Sequence, residues 1–116
     1  MTDSRIFVSL NATIIYEEKL RIGMEGVVAD AYPRSGTKTH FWTRSEDGES
    51  LFVLEQYADE EALIEHIMRN PPARATFLES IEVVDVTIYG MVSDNIKEMF
   101  ISLNPKYMNY FGGYSK

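Results

Sequence analysis

His66 is the residue of this chain best suited to chemistry. An imidazole titrates near neutrality and can take a proton from a weakly acidic substrate at ordinary pH. Glu55 follows the apolar run Leu51-Phe52-Val53-Leu54. A carboxylate placed there can orient an imidazole, or can serve as a hydrogen-bonded structural group. Asn11, between Ser9 and Thr13, can hydrogen-bond a substrate carbonyl or a developing oxyanion if its strand lines a pocket. Otherwise the three polar side chains only coat a second sheet face. Trp42 and Tyr57, with Phe41 and Tyr89, can wall in a flat ligand, or can be core or interface. His66 also has a plainer reading. Leu63, Ile64, Ile67 and Met68 define the apolar stripe of its helix, and His66 lies off the stripe's centre, where a half-exposed histidine needs no catalytic role.

Other chemistries are excluded or unsupported. The chain has no cysteine, so disulfides, thiolate metal sites, iron–sulfur clusters and a thiol nucleophile are absent. His40 is the other imidazole. Two histidines without a matching carboxylate spacing do not make a metal site, so no metal is expected. Gly112-Gly113 follows no strand–helix pattern and is no phosphate loop, and no serine sits in a nucleophile elbow. The formal charge is −7, from 18 acidic and 11 basic residues without a basic cluster. Such a chain repels phosphate backbones and anionic membranes, so neither nucleic acid nor membrane is an expected partner. The N-terminus shows no signal-peptide pattern and no apolar stretch is long enough to cross a bilayer, which makes the cytoplasm the expected location.

The elements that must position these groups follow from periodicity. Residues 5–15 alternate, with Ile6, Val8, Leu10, Ala12 and Ile14 on one face, and read as a strand. Residues 17–32 carry Leu20, Met24, Val27, Val28 and Ala31 at helical spacing, and Pro33 and Gly36 end that helix. Strands at 37–44 and 51–57 flank a loop with Asp47-Gly48 as its turn signal. Asp59 can cap a helix at 60–69, which Pro71-Pro72 breaks before a second helical piece ends near Ser80. Residues 82–92 form a fourth strand, and Ser93 caps a short helix that Pro105 stops. The aromatic tail, 105–116, is a final strand or a docking segment. No linker or repeat divides the chain, so 1–116 reads as one domain. The order β-α-β-β-α-β predicts an α+β, ferredoxin-like antiparallel sheet with helices on one face.

That arrangement leaves the other sheet face open. In Leu51-Phe52-Val53-Leu54 both strand faces are apolar, and the neighbours Phe41 and Trp42 point to opposite sides. An apolar open face favours packing against a second copy, giving a homodimer, unless the aromatic tail folds back to cover it.

The stretch from Leu51 to Ile67, with an apolar strand, Glu55, Tyr57, the capping Asp59, Glu60-Glu61-Ala62 and then His66, resembles the core signature of the antibiotic biosynthesis monooxygenase family. The resemblance covers about residues 6–90. It implies a dimeric α+β barrel with a pocket between sheet and helices. It also implies a reaction of molecular oxygen with a small aromatic quinol- or polyketide-like substrate without metal, flavin or other cofactor. His66 and Glu55 would then be catalytic, and Asn11, Trp42 and Tyr57 would bind substrate. The haem-degrading branch of the family uses a helical Trp where this chain has His66, and a downstream histidine that residues 71–80 lack. A non-catalytic ligand-binding or regulatory dimer is the alternative on the same scaffold, with isomerase and haem-binding roles behind it. A closed cavity with His66 pointing inward would separate enzyme from binding dimer.

Overall fold

The computed structural model describes residues 3–114 and 116. Five strands form one sheet in the order β2-β3-β1-β4-β5. β1 (Ile6–Ile14) lies at the centre, antiparallel to β3 (Ser50–Tyr57) and β4 (Ile81–Tyr89). β2 (Thr37–Arg44) flanks β3, also antiparallel. The expected α+β arrangement is present, with α1 (Glu17–Ala31), α2 (Glu60–Arg69) and α3 (Pro72–Glu79) on one face. The tail departs from a purely antiparallel sheet. β5 (Lys106–Met108) adds to the edge parallel to β4, after α4 (Asp94–Met99) and a 3₁₀ turn at Ile101–Leu103.

Alternation assigns the faces. Ile6, Val8, Leu10 and Ala12 turn toward the helices, and the partners across β3 on that side are Tyr57, Glu55, Val53 and Leu51. Phe7, Ser9, Asn11 and Thr13 turn away, opposite Gln56, Leu54, Phe52 and Ser50. One irregularity breaks β4: Asn11 pairs with Asp85 and Ala12 with Val83, leaving Val84 unpaired on a bulge.

Local signals set the helices. The Asp59 carboxylate accepts from the Ala62 amide at 2.9 Å and starts α2. Asn70, with φ of 40°, ends it in the left-handed region, and Pro72 opens α3. α1 and α3 touch backbone to backbone, because a Cβ on Gly23 would lie 2.6 Å from the Phe77 amide nitrogen. That contact was not legible in the apolar stripe expected for α1, which included Met24 and not the buried Gly23.

The core falls into two clusters. Ile6, Val8, Tyr57, Leu63, Val86, Ile88 and Ile96 form one. Ala12, Leu20, Val27, Leu51, Val53, Phe77 and Ile81 form the other, and Leu10 and Val83 touch both. Each buried Leu, Ile or Phe contributes about 1.5–3 kcal/mol. Among the described residues no helix is long and apolar enough to cross a membrane.

Candidate functional site

A cavity of about 200 Å³ opens at the seam of the two clusters. Val8, Leu10 and Val86 form its floor on the sheet, Val27 and Phe77 one wall, and Leu63 and Ile67 another. Met99, Phe100 and Leu103, from α4 and the turn after it, close the far side. Ile96, fully buried, anchors that closing segment, and the Ser93 amide donates to Glu60 Oε1 at 2.7 Å.

The polar groups of this wall are Glu55, His66 and Arg74. Leu63 anchors α2 in the core, and His66, one turn on, is carried over the sheet with its side chain 12% exposed. Its Nε2 lies 3.7 Å from Glu55 Oε1. His40 faces Glu55 directly across the β2–β3 ladder, with Nε2 3.9 Å from the same oxygen. The Tyr57 hydroxyl donates to that oxygen too. Trp42 Nε1–H donates to His40 Nδ1 at 3.2 Å, so a neutral His40 carries its proton on Nε2. That Nε2 is buried and has no hydrogen-bond partner.

Burial lowers the pKa of His66, and the nearby Arg74 and His40 lower it further, while Glu55 and Asp30 act in the opposite direction. The imidazole is therefore neutral at neutral pH. Tyr57 is pushed well above the usual phenol range, first by burial and then by Glu55, so it remains a proton donor. Arg74 Nη1 and Nη2 donate to the Ile67 and His66 carbonyl oxygens at 2.9 and 2.6 Å, tying the end of α2 to α3. Trp42 meets Phe77 edge-on, with ring centroids 4.9 Å apart.

No protein-family model and no curated protein matches the sequence. Solved structures do. MupZ from Pseudomonas fluorescens matches at a TM-score of 0.83 and 13% identity, over 100% of this chain and 91% of that one. SnoaB, a cofactor-independent oxygenase from Streptomyces nogalater, matches at 0.61 and 14% identity, over 78% and 95%. A protein assigned to the antibiotic biosynthesis monooxygenases, from Chloroflexus aurantiacus, matches at 0.60 and 9% identity, over 78% and 95%. The chain has the antibiotic biosynthesis monooxygenase fold. The match to MupZ runs the full length of the chain and so takes in α4 and β5, the segments that follow the β-α-β-β-α-β core of this fold.

Within this monooxygenase fold, Trp42, Glu55, Tyr57 and His66 converge from β2, β3 and α2. His66 lies closer to the sheet than its offset from the α2 stripe suggests. Met68, counted in that stripe, is 71% exposed, so the buried side of α2 is turned toward His66. Tyr57 does not line the cavity. It is fully buried and reaches the site through Glu55. Asn11 is displaced from its expected place. It turns to the outer face, where its Nδ2 donates to Asp85 Oδ1 at 2.8 Å, because odd positions of β1 point away from the helices. Phe41 and Tyr89 point the same way and do not line this cavity. Sequence reasoning missed Arg74, Phe77 and the role of His40. For His40 the signal existed: pairing symmetric about Asp47-Gly48 puts residue 40 opposite residue 55.

Proposed function

We propose that the chain is an enzyme, a cofactor-independent monooxygenase that takes a small aromatic, quinol- or polyketide-like molecule into the cavity. The supporting observation is a neutral, mostly buried imidazole facing an apolar cavity, with a carboxylate behind it. His66 Nε2 removes a proton from a phenol or an activated methylene. Glu55 stabilises the imidazolium that forms, and Tyr57 holds the carboxylate in place. The apolar walls exclude water and admit oxygen. The electron-rich anion reduces oxygen and combines with it to give a peroxide, which takes the proton back from His66 and becomes a hydroperoxide. For a methylene substrate, His66 then removes the remaining hydrogen of that carbon as a proton while the O–O bond breaks, which leaves a carbonyl, and passes this proton to the departing hydroxide, released as water. The substrate supplies all the electrons, so the step needs no further reductant.

We also propose that the protein acts as a homodimer through its outer sheet face. Phe41 and Val84 are 55% and 64% exposed there, with Phe52 and Tyr89 beside them. A face of this kind is a liability on a monomer. The non-catalytic dimer is the second reading, favoured by a cavity smaller than the roughly 300–1,000 Å³ of ordinary ligand pockets. Oxygen uptake with dihydroquinones and anthrone-like phenols, in metal-free buffer, decides between them. Turnover by wild type that His66→Ala loses supports the enzyme. Turnover equal in both removes His66 from the mechanism, and ligand binding without turnover favours the second reading.

A further inference from the structure

His40, Glu55 and His66 surround one point from three different elements. One nitrogen or carboxylate oxygen of each lies within 4.8 Å of those of the other two, and no other trio of such side chains among the described residues comes this close. The 3.7 and 3.9 Å separations from Glu55 Oε1 are too long for hydrogen bonds, so these groups do not satisfy one another. His40 is decisive. Its side chain is 8% exposed and its Nε2 has no partner. A buried polar atom left unpaired is costly and calls for a missing partner. We propose that His40, Glu55 and His66 bind one divalent first-row transition-metal ion per chain, zinc being the type case, with its open coordination positions toward the cavity.

The donor set suits this class of ion. Two imidazoles and a carboxylate favour zinc, cobalt, nickel or iron over magnesium and calcium, which demand oxygen ligands. Ligands held about 2.0–2.2 Å from an ion sit roughly 3.3–3.6 Å apart, so the trio closes by a modest inward shift. Tyr57 already fixes the carboxylate from behind, as outer partners do in metal sites. Two features oppose the ion and make it exchangeable. Arg74 adds positive charge near His66, although its guanidinium is engaged by two carbonyls. The Trp42 N–H also points at His40 Nδ1, the nitrogen that must carry the proton once Nε2 is ligated. Loading therefore breaks the Trp42–His40 hydrogen bond. It also occupies the His66 lone pair, so the loaded form cannot abstract a proton and the ion acts as a reversible inhibitor. This goes beyond the proton-transfer reading, which uses His66 and Glu55 with no ion.

The test is a calorimetric titration of chelator-treated, untagged full-length protein with zinc chloride, with magnesium chloride as the control. The fluorescence of Trp42, the single tryptophan, is followed in parallel. The expected result is one zinc and no magnesium per chain, a change in Trp42 emission on loading, and affinity lowered at least about tenfold in His40→Ala and Glu55→Gln. Trp42→Phe keeps every ligand and removes the opposing N–H, so it tightens zinc roughly fivefold. That gain cannot arise from misfolding. Absence of zinc binding, or binding that folded His40→Ala retains unchanged, overturns the proposal. Oxygen uptake by metal-free protein tests the proton-transfer reading separately, so either can fail alone.

Discussion

On the inner face of β3, Val53, Glu55 and Tyr57 lie beneath helices, and a carboxylate there gathers a phenol and two imidazoles around one oxygen. On the outer face of the same strand, Phe52 and Leu54 have no helix above them, and their neighbours include the exposed Phe41 and the paired Asn11 and Asp85. The two faces are built from the same strands and are separated by the thickness of one backbone. The difference is what covers them. Cover by α2 and α3 desolvates the inner polar groups and shifts His66 and Tyr57 from their ordinary pKa values. The uncovered face has polar side chains that pair locally and apolar ones left exposed.

The comparison is broken most severely at its inner end. His66→Ala should lower kcat by about 10²- to 10⁴-fold in the oxygen-uptake assay, the usual worth of a positioned base. Next comes Tyr57→Phe, which strips the donor from Glu55 Oε1 without touching the cavity. It should lower folding stability by about 1.5–3 kcal/mol in urea unfolding, as expected for a hydrogen bond to a charged group.

The outer face is tested by Phe52→Glu. A charge placed in an apolar contact should weaken self-association at least about tenfold in sedimentation, while the titration of His66 is unchanged. A stable dimer in this variant would sever the outer face from association.

pH sharpens the inner face. The folded His66 has a pKa below its ordinary 6.5. Below pH 6.5 the unfolded chain binds a proton that the folded chain does not, so stability falls as pH drops through that value, and the loss levels off below the folded pKa. The acid limb of kcat/KM should lie below pH 6.5 for the same reason. The smallest effect is expected of Asn11→Ala, which should change kcat by less than about twofold, since its partner is Asp85 on the far side of the sheet.

Alternation and caps made most of the fold legible. The strand pattern of residues 6–14, the Asp59 cap and the Asp47-Gly48 turn all describe local backbone choices, and local chemistry decides them. β5 was ambiguous because three residues on an edge carry little periodic signal. The site was half legible. His66 and Glu55 could be picked by residue type, and Trp42 and Tyr57 by aromatic character, but which face each would join depended on register. Asn11 failed on that point. Arg74 was invisible because its task, holding the carbonyls at the end of α2, exists only once α2 and α3 pack. The trio around Glu55 was overlooked because its spacing runs across a hairpin and not along the chain.

The central claim is that His66 is a desolvated base on the inner face, and an NMR titration of its imidazole in metal-free protein tests this most directly. The account predicts a midpoint below 6.5, moving upward when Arg74 is replaced by Gln and its charge is removed. A midpoint at or above 6.5 that ignores Arg74 would show an imidazole in solvent, and would contradict the site described above.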